Sequence, residues 1–207
     1  MRAKEYLKNP TGASALSFWK TCHFNAPTHI KVINENEFNP NLLETHTDEV
    51  YFKLVHYLEN IEKQFKSDKF IFVKASTEEF VNHINSCYEK ERLTADELES
   101  YKNRPVYDED LWICLYDNVN HVIAATGIAE FDREIKEGYL DWIQVSKEYR
   151  GQGLDKIIVY ELLKRLKRKA NFVTVSGRVN NKTNPEKLYE SCGFENKVLC
   201  HILTEKK

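Results

Sequence analysis

No stretch of this 207-residue sequence approaches the roughly twenty consecutive apolar residues of a membrane-crossing helix, so no membrane association is expected. A basic excess is also missing. The formal net charge is -2 at pH 7, which lacks the usual electrostatic footprint of a nucleic-acid binder. Nothing at the N-terminus reads as a secretory leader, because Met1-Arg2-Ala3-Lys4-Glu5 is followed by no apolar run. The cysteines are Cys22, Cys87, Cys114, Cys192 and Cys200. Their odd number suits reduced thiols better than a disulfide framework, and a cytoplasmic location is the expectation. Internal repeats and low-complexity tracts are absent. No metal-ligand set is complete either: His83 and Cys87 lie four apart on an expected helix, and Cys200-His201 are adjacent.

What remains is ordinary globular protein, 42% hydrophobic and 30% charged, and long enough for a real core. Ile30-Lys31-Val32-Ile33 reads as a short strand. The spacing of Val50, Leu54, Tyr57, Leu58, Ile61 and Phe65 predicts a helix over 48–65. Phe70-Ile71-Phe72-Val73 is a buried strand. Ser76 or Thr77 with Glu79, and Thr94 with Glu97, start two helices. Strands follow at 111–116, 122–131 and 139–145, then a glycine turn and a helix over 154–168. A strand at 172–176, a short helix from Asn184-Pro185 to Cys192-Gly193, and two closing strands complete a mixed α/β layer structure.

The chemistry concentrates where a strand feeds a glycine turn and a helix N-terminus: Leu140-Asp141-Trp142-Ile143-Gln144-Val145, then Arg150-Gly151-Gln152-Gly153-Leu154-Asp155-Lys156. Helix N-termini expose unpaired N–H groups and the positive end of the dipole, so they suit phosphate. Glycines let backbone approach an anion closely. The run Gly-x4-Gly-Lys-Ser/Thr of a P-loop is not present. A dinucleotide fingerprint needs a small residue where Lys156 stands. A third pattern, Arg/Gln-x-x-Gly-x-Gly/Ala, fits Arg150 and Gly153, with Asp155 at its last small position. A plain glycine turn into a helix is the bland alternative.

A second motif removes much of that ambiguity. Leu188-Tyr189-Glu190-Ser191-Cys192-Gly193-Phe194 is similar to the Leu-Tyr-Glu-x-x-Gly-Phe signature of the GNAT N-acyltransferase superfamily, and one helix plus one strand separates it from the glycine turn. Over residues 69–207 the chain resembles that superfamily, while residues 1–68 read as an N-terminal extension of a strand and a helix packed on the core. The resemblance implies a central, mostly antiparallel mixed sheet with helices on both faces and a splay between the family's fourth and fifth strands. It implies acetyl-CoA as co-substrate and direct attack by an amine, from a small molecule or a peptide, in a ternary complex. The cofactor would lie against the backbone of Ile143 and Val145 and the N–H groups of Arg150, Gly151, Gln152, Gly153, Leu154, Asp155 and Lys156.

An attacking ammonium must lose its proton, which calls for a carboxylate in reach. Asp141 is the first candidate, on the face of Glu137 and Ile143 by parity and opposite Trp142, with Glu137 and Glu130 behind it. An exposed strand carboxylate is the plain alternative. Tyr189 matches the tyrosine to which the resemblance assigns protonation of the leaving thiolate, against a simple packing role. An asparagine in this family often holds the pantetheine. Its usual spacing lands on Lys182, so Asn181 and Asn184 are the candidates, and Asn184 also suits a helix cap. Asp155 places negative charge where pyrophosphate is expected, which supports the rival expectation of a non-catalytic acyl-CoA binder. Cys192 reads as a small buried hydrophobe, and the run Lys164-Arg165-Leu166-Lys167-Arg168-Lys169 as a solvated helix end. Oligomeric state stays open, a homodimer included.

Overall fold

The computed structural model describes residues 1–23, 25–61, 65–88, 92–181 and 183–206. Two short helices open the chain, α1 (Ala3–Lys8) and α2 (Phe18–His23), followed by strands β1 (Ile30–Asn34), β2 (His46–His56) and β3 (Phe70–Val73). Helices α3 (Thr77–Cys87) and α4 (Ala95–Ser100) precede the meander β4 (Trp112–Asp117), β5 (Val122–Asp132) and β6 (Glu137–Val145). Then come α5 (Leu154–Leu166), β7 (Phe172–Arg178), α6 (Pro185–Ser191) and β8 (Glu195–Glu205).

The strands form one sheet in the order β1-β8-β2-β7-β6-β5-β4-β3. Among the described residues only the β6–β7 pair is parallel, the crossover being α5, so the mixed, mostly antiparallel sheet is as expected. Capping boxes at Ser76/Glu79 and Thr94/Glu97 start α3 and α4 as predicted.

Two expectations are corrected. Residues 46–56 form β2 rather than the first half of a helix, and β2 lies inside the sheet between β8 and β7. Both its faces are covered: Phe52 and Leu54 join the cluster under α5, and Val55 packs with Tyr6 and Phe18 on the other side. A strand buried on both faces loses its period of two, and Val50, Leu54 and Leu58 then mimic a helical stripe. Residues 57–61 are irregular, with Leu58 and Asn60 at positive φ, and residues 62–64 lie outside the described residues. The closing segment is one long strand, β8, with Asn196 at φ 55° near the register slip against β2, not two strands.

Helix α5 covers one face of the sheet with Leu154, Ile158, Val159, Leu162, Leu163 and Leu166, all buried. Its close approach depends on Gly127, where a Cβ would stand 2.4 Å from Ile158 Cγ2. The opposite face carries α3 and α4 at one end and the N-terminal segment at the other. Lys53 of β2, fully buried, ties that segment down: Nζ donates to the Tyr6 hydroxyl and to the carbonyls of Pro10, Ser14 and Leu16 at 2.7–2.9 Å. Burial pulls its pKa down to about 8.

Candidate active site

Strands β6 and β7 pair from Glu137↔Phe172 to Leu140↔Val175 and then part, although β6 runs on to Val145 and β7 to Arg178. The cause is local. The β5–β6 register slips between Gly127↔Ile143 and Ala129↔Leu140, so Asp141 and Trp142 together oppose Ile128. Such a bulge bends and twists the strand that carries it, and here it turns β6 away from β7. The edge of β6 beyond Leu140 is left without a ladder partner, and Ile143 and Val145 lie on it.

Asp141 shares the face of Glu137 as parity predicts, but the bulge overturns that expectation for Trp142 and Ile143. Asp141 and Trp142 share the face of α2 and α3, where Asp141 meets Lys20 and Trp142 stands edge-on to Tyr88 at 5.9 Å. Ile143 is switched to the α5 side, next to Gly127. One extra residue reverses every side chain after it.

Beyond β6, Lys147–Tyr149 make one 3-10 turn. Tyr149 fixes its position. Its ring packs edge-on against Phe70 at 5.9 Å and its hydroxyl donates to Asp117 Oδ2 at 2.8 Å. Burial alone would raise the Asp117 pKa. Hydrogen bonds from Asn120, Tyr149 and Val119 outweigh it and hold the carboxyl well below the ordinary range. Arg150 turns back, donating to the Val145 and Cys87 carbonyls at 3.3 Å each. Gly151 and Gly153 both take φ +77°, and a Cβ on either would meet nothing within 4 Å. The space beside the turn is therefore open. Among the described residues, the N–H groups of Gly151, Gly153, Leu154 and Asp155 make no hydrogen bond, while Gln152 closes the hydrogen-bonded turn at 150–151; the first helical bond is Ile157 N–H to Gly153 C=O. The Lys156 N–H is taken by Asp155 Oδ1 at 2.9 Å. Asp155 thus neither points away nor stays free: it caps its own helix.

Across the gap, Tyr189 of α6 is buried, its ring 6.2 Å from Phe52 and 5.5 Å from Phe194. Its hydroxyl makes no hydrogen bond among the described residues. Burial first, then the fields of Tyr88, Tyr139, Cys192 and Asp141, push its pKa far up. That set of neighbours places the phenol within electrostatic reach of both β6 and the end of α3. Asn184 stands at the N-cap of α6 with φ 48°, but its side chain caps nothing. Asn181 Oδ1 accepts from the Thr183 N–H and hydroxyl at 3.1 Å. Lys182 lies outside the described residues. Cys192 is buried as expected, and burial pushes its thiol up to about 11.

The three carboxylates have different surroundings. Glu137 is buried and accepts from the Tyr6 hydroxyl, the Phe18 N–H and the Thr174 hydroxyl, so it is a structural anchor with no route to a substrate. Glu130 pairs with Arg104 at 2.7 Å. Asp141 is partly open and pairs with Lys20 at 3.0 Å. Lys20, Tyr139 and Ser176 escaped sequence reasoning, because no local pattern signals contacts between segments so far apart in the chain. His83, considered for a metal, is buried between the Thr126 and Ser146 hydroxyls at 2.9 Å, and burial lowers its pKa to about 4. Trp142 Nε1 on β6 is buried with no hydrogen-bond partner among the described residues. An orphaned polar atom on the splayed β6, beside a turn with unbonded N–H groups, fits a polar ligand ending in an anion. An open cleft of about 460 Å³ between Lys74, Trp112 and Arg165 lies at the β3–β4 edge and contains none of these residues.

A parallel strand pair that parts beside a glycine turn and a helix N-terminus is the central feature of this fold. The chain belongs to the acetyltransferase (GNAT) family, whose model matches residues 77–194. A GCN5-related N-acetyltransferase from Sphaerobacter thermophilus is similar in fold, with TM-score 0.66 and 14% identity over 86% of this chain and 61% of that one. A Drosophila protein superposes with TM-score 0.65 and 12% identity over 93% of this chain and 67% of its own. A GNAT-family acetyltransferase from Colwellia psychrerythraea gives 0.59 and 15%, over 84% and 64%. The chain therefore spans about three fifths to two thirds of these structures, and at such identities they show the fold alone. No curated protein matches. Among the described residues no helix is long and apolar enough to cross a membrane.

Proposed function

We propose that the chain is an acetyl-CoA-dependent N-acetyltransferase acting on a primary amine by direct attack in a ternary complex. The splay carries the reading: it parts β6 from β7 just beyond Leu140, beside Asp141. The unbonded N–H groups of Gly151, Gly153, Leu154 and Asp155 would hold the pyrophosphate, and the free edge of β6 at Ile143 and Val145, with Asn181 or Asn184, the pantetheine. When bound, acetyl-CoA supplies a thioester whose acyl carbon an amine attacks and whose sulfur departs as a thiolate.

The chain's own groups supply the rest. Asp141, on the face opposite α5, takes the proton that the acceptor ammonium must lose. Tyr189 keeps its proton throughout the neutral range and would donate a hydrogen bond to the departing sulfur. The rival reading, a non-catalytic acyl-CoA binder, draws on Asp155 alone. Incubation with acetyl-CoA and a panel of primary amines, following thiol release and acetylated product, separates them. Turnover of at least one amine is expected; binding without turnover across the panel contradicts the enzyme.

A further inference from the structure

Helix α2 crosses the sheet and lays Lys20 at the mouth of the splay. Its Nζ donates to Asp141 Oδ2 at 3.0 Å, stands 3.7 Å from Glu130 Oε2, and lies 4.2 Å from the centroid of the Tyr139 ring. Two carboxylates and an aromatic face around one ammonium are the means by which proteins recognise alkylammonium ligands. Glu130 is held from its other oxygen by Arg104, so this wall of the pocket stays in place without Lys20. The surroundings are poorly satisfied for a finished core: Trp19 Nε1 on α2 is buried with no hydrogen-bond partner among the described residues.

Burial favours the neutral form of Lys20, but Asp141, Tyr139 and Glu130 outweigh burial and hold the ammonium well above the ordinary lysine range. The pocket thus favours a charged alkylammonium, whichever amine supplies it.

We propose that Asp141, Glu130 and the Tyr139 ring are the ammonium subsite of the acceptor, that Lys20 fills it in cis, and that the acceptor is a primary alkylammonium which displaces Lys20. This rests on the reading of that face as the acceptor side. The Lys20 side chain retains 19% of its exposure, which gives it a way out to solvent. Competition within the chain lowers the apparent affinity for acceptor by the fraction of closed molecules, so an empty pocket binds amines more tightly.

The test removes the plug and offers n-butylammonium chloride in its place, against sodium chloride at equal ionic strength. Lys20→Ala is expected to melt below the wild type, to regain most of the difference with butylammonium but not sodium, and to show a KM for butylamine at least tenfold lower. Equal effects of butylammonium on both chains, or an unchanged KM, would overturn the subsite. Rescue of melting with no acetyl transfer would uphold the subsite and overturn the transferase reading instead. Should Lys20→Ala not fold, the wild type decides: the protected Lys20 ammonium signal in a lysine-15N-labelled sample is expected to vanish on titration with butylammonium, and its persistence would contradict displacement.

Discussion

Asp155 Oδ1 accepts a hydrogen bond from the backbone N–H of Lys156 at 2.9 Å, inside the turn that should receive a pyrophosphate. The carboxylate satisfies one helix N-terminal donor and places a negative charge beside the others. In the free protein this favours α5; against an incoming anion it is repulsive. Asp155→Ala is therefore expected to bind CoA about tenfold more tightly, ~1.4 kcal/mol. Titrations at rising salt check the cause, since the gap between variant and wild type should shrink with screening. Equal affinities would show that the aspartate moves aside without cost.

Tyr189 is a clean test of chemistry against packing. Its ring is wedged between Phe52 and Phe194, while its hydroxyl makes no hydrogen bond among the described residues. Tyr189→Phe should leave melting temperature and CoA affinity near wild type and lower kcat roughly a hundredfold. A large loss of stability would mean that the phenol is structural.

Gly127 sets the distance of α5 from the sheet, since an added Cβ would lie 2.4 Å from Ile158 Cγ2. Gly127→Ala should cost about 1–3 kcal/mol in urea unfolding through overpacking. An unchanged midpoint would mean that Ile158 repacks freely.

His201 of β8 stands between Asp48 at 2.9 Å and Glu35 at 3.0 Å, stacked on Phe38. Burial lowers its pKa, but both carboxylates outweigh burial and raise it above the ordinary histidine value. A folded-state pKa above the unfolded one gives stability that is full below about pH 6.5 and lost as pH rises through the folded value. Wild type should accordingly lose melting temperature relative to His201→Gln on going from pH 6 to pH 9. Parallel pH profiles would rule the linkage out.

Much of this was legible in the sequence, and the failures have physical causes. Capping boxes, the glycine turn and the apolar stripe of α5 are local, and they stand where the residues place them. β2 mimics a helix in sequence because it is covered on both faces, and Lys53, fully buried, hides its alternation. The side chains after Asp141 were assigned to the wrong faces, because a bulge leaves no mark in a strand's apolar pattern. Lys20 was invisible for a different reason. Its partners lie on β5 and β6, and only the path of the N-terminal segment, held down by Lys53, brings them together.

The central claim, that the turn at 150–156 together with the splay holds an acyl-CoA, is tested most directly by isothermal calorimetry of the wild type with acetyl-CoA and with CoA. Saturable one-to-one binding of both, weakened by salt, is predicted. No heat of binding at millimolar ligand would contradict it.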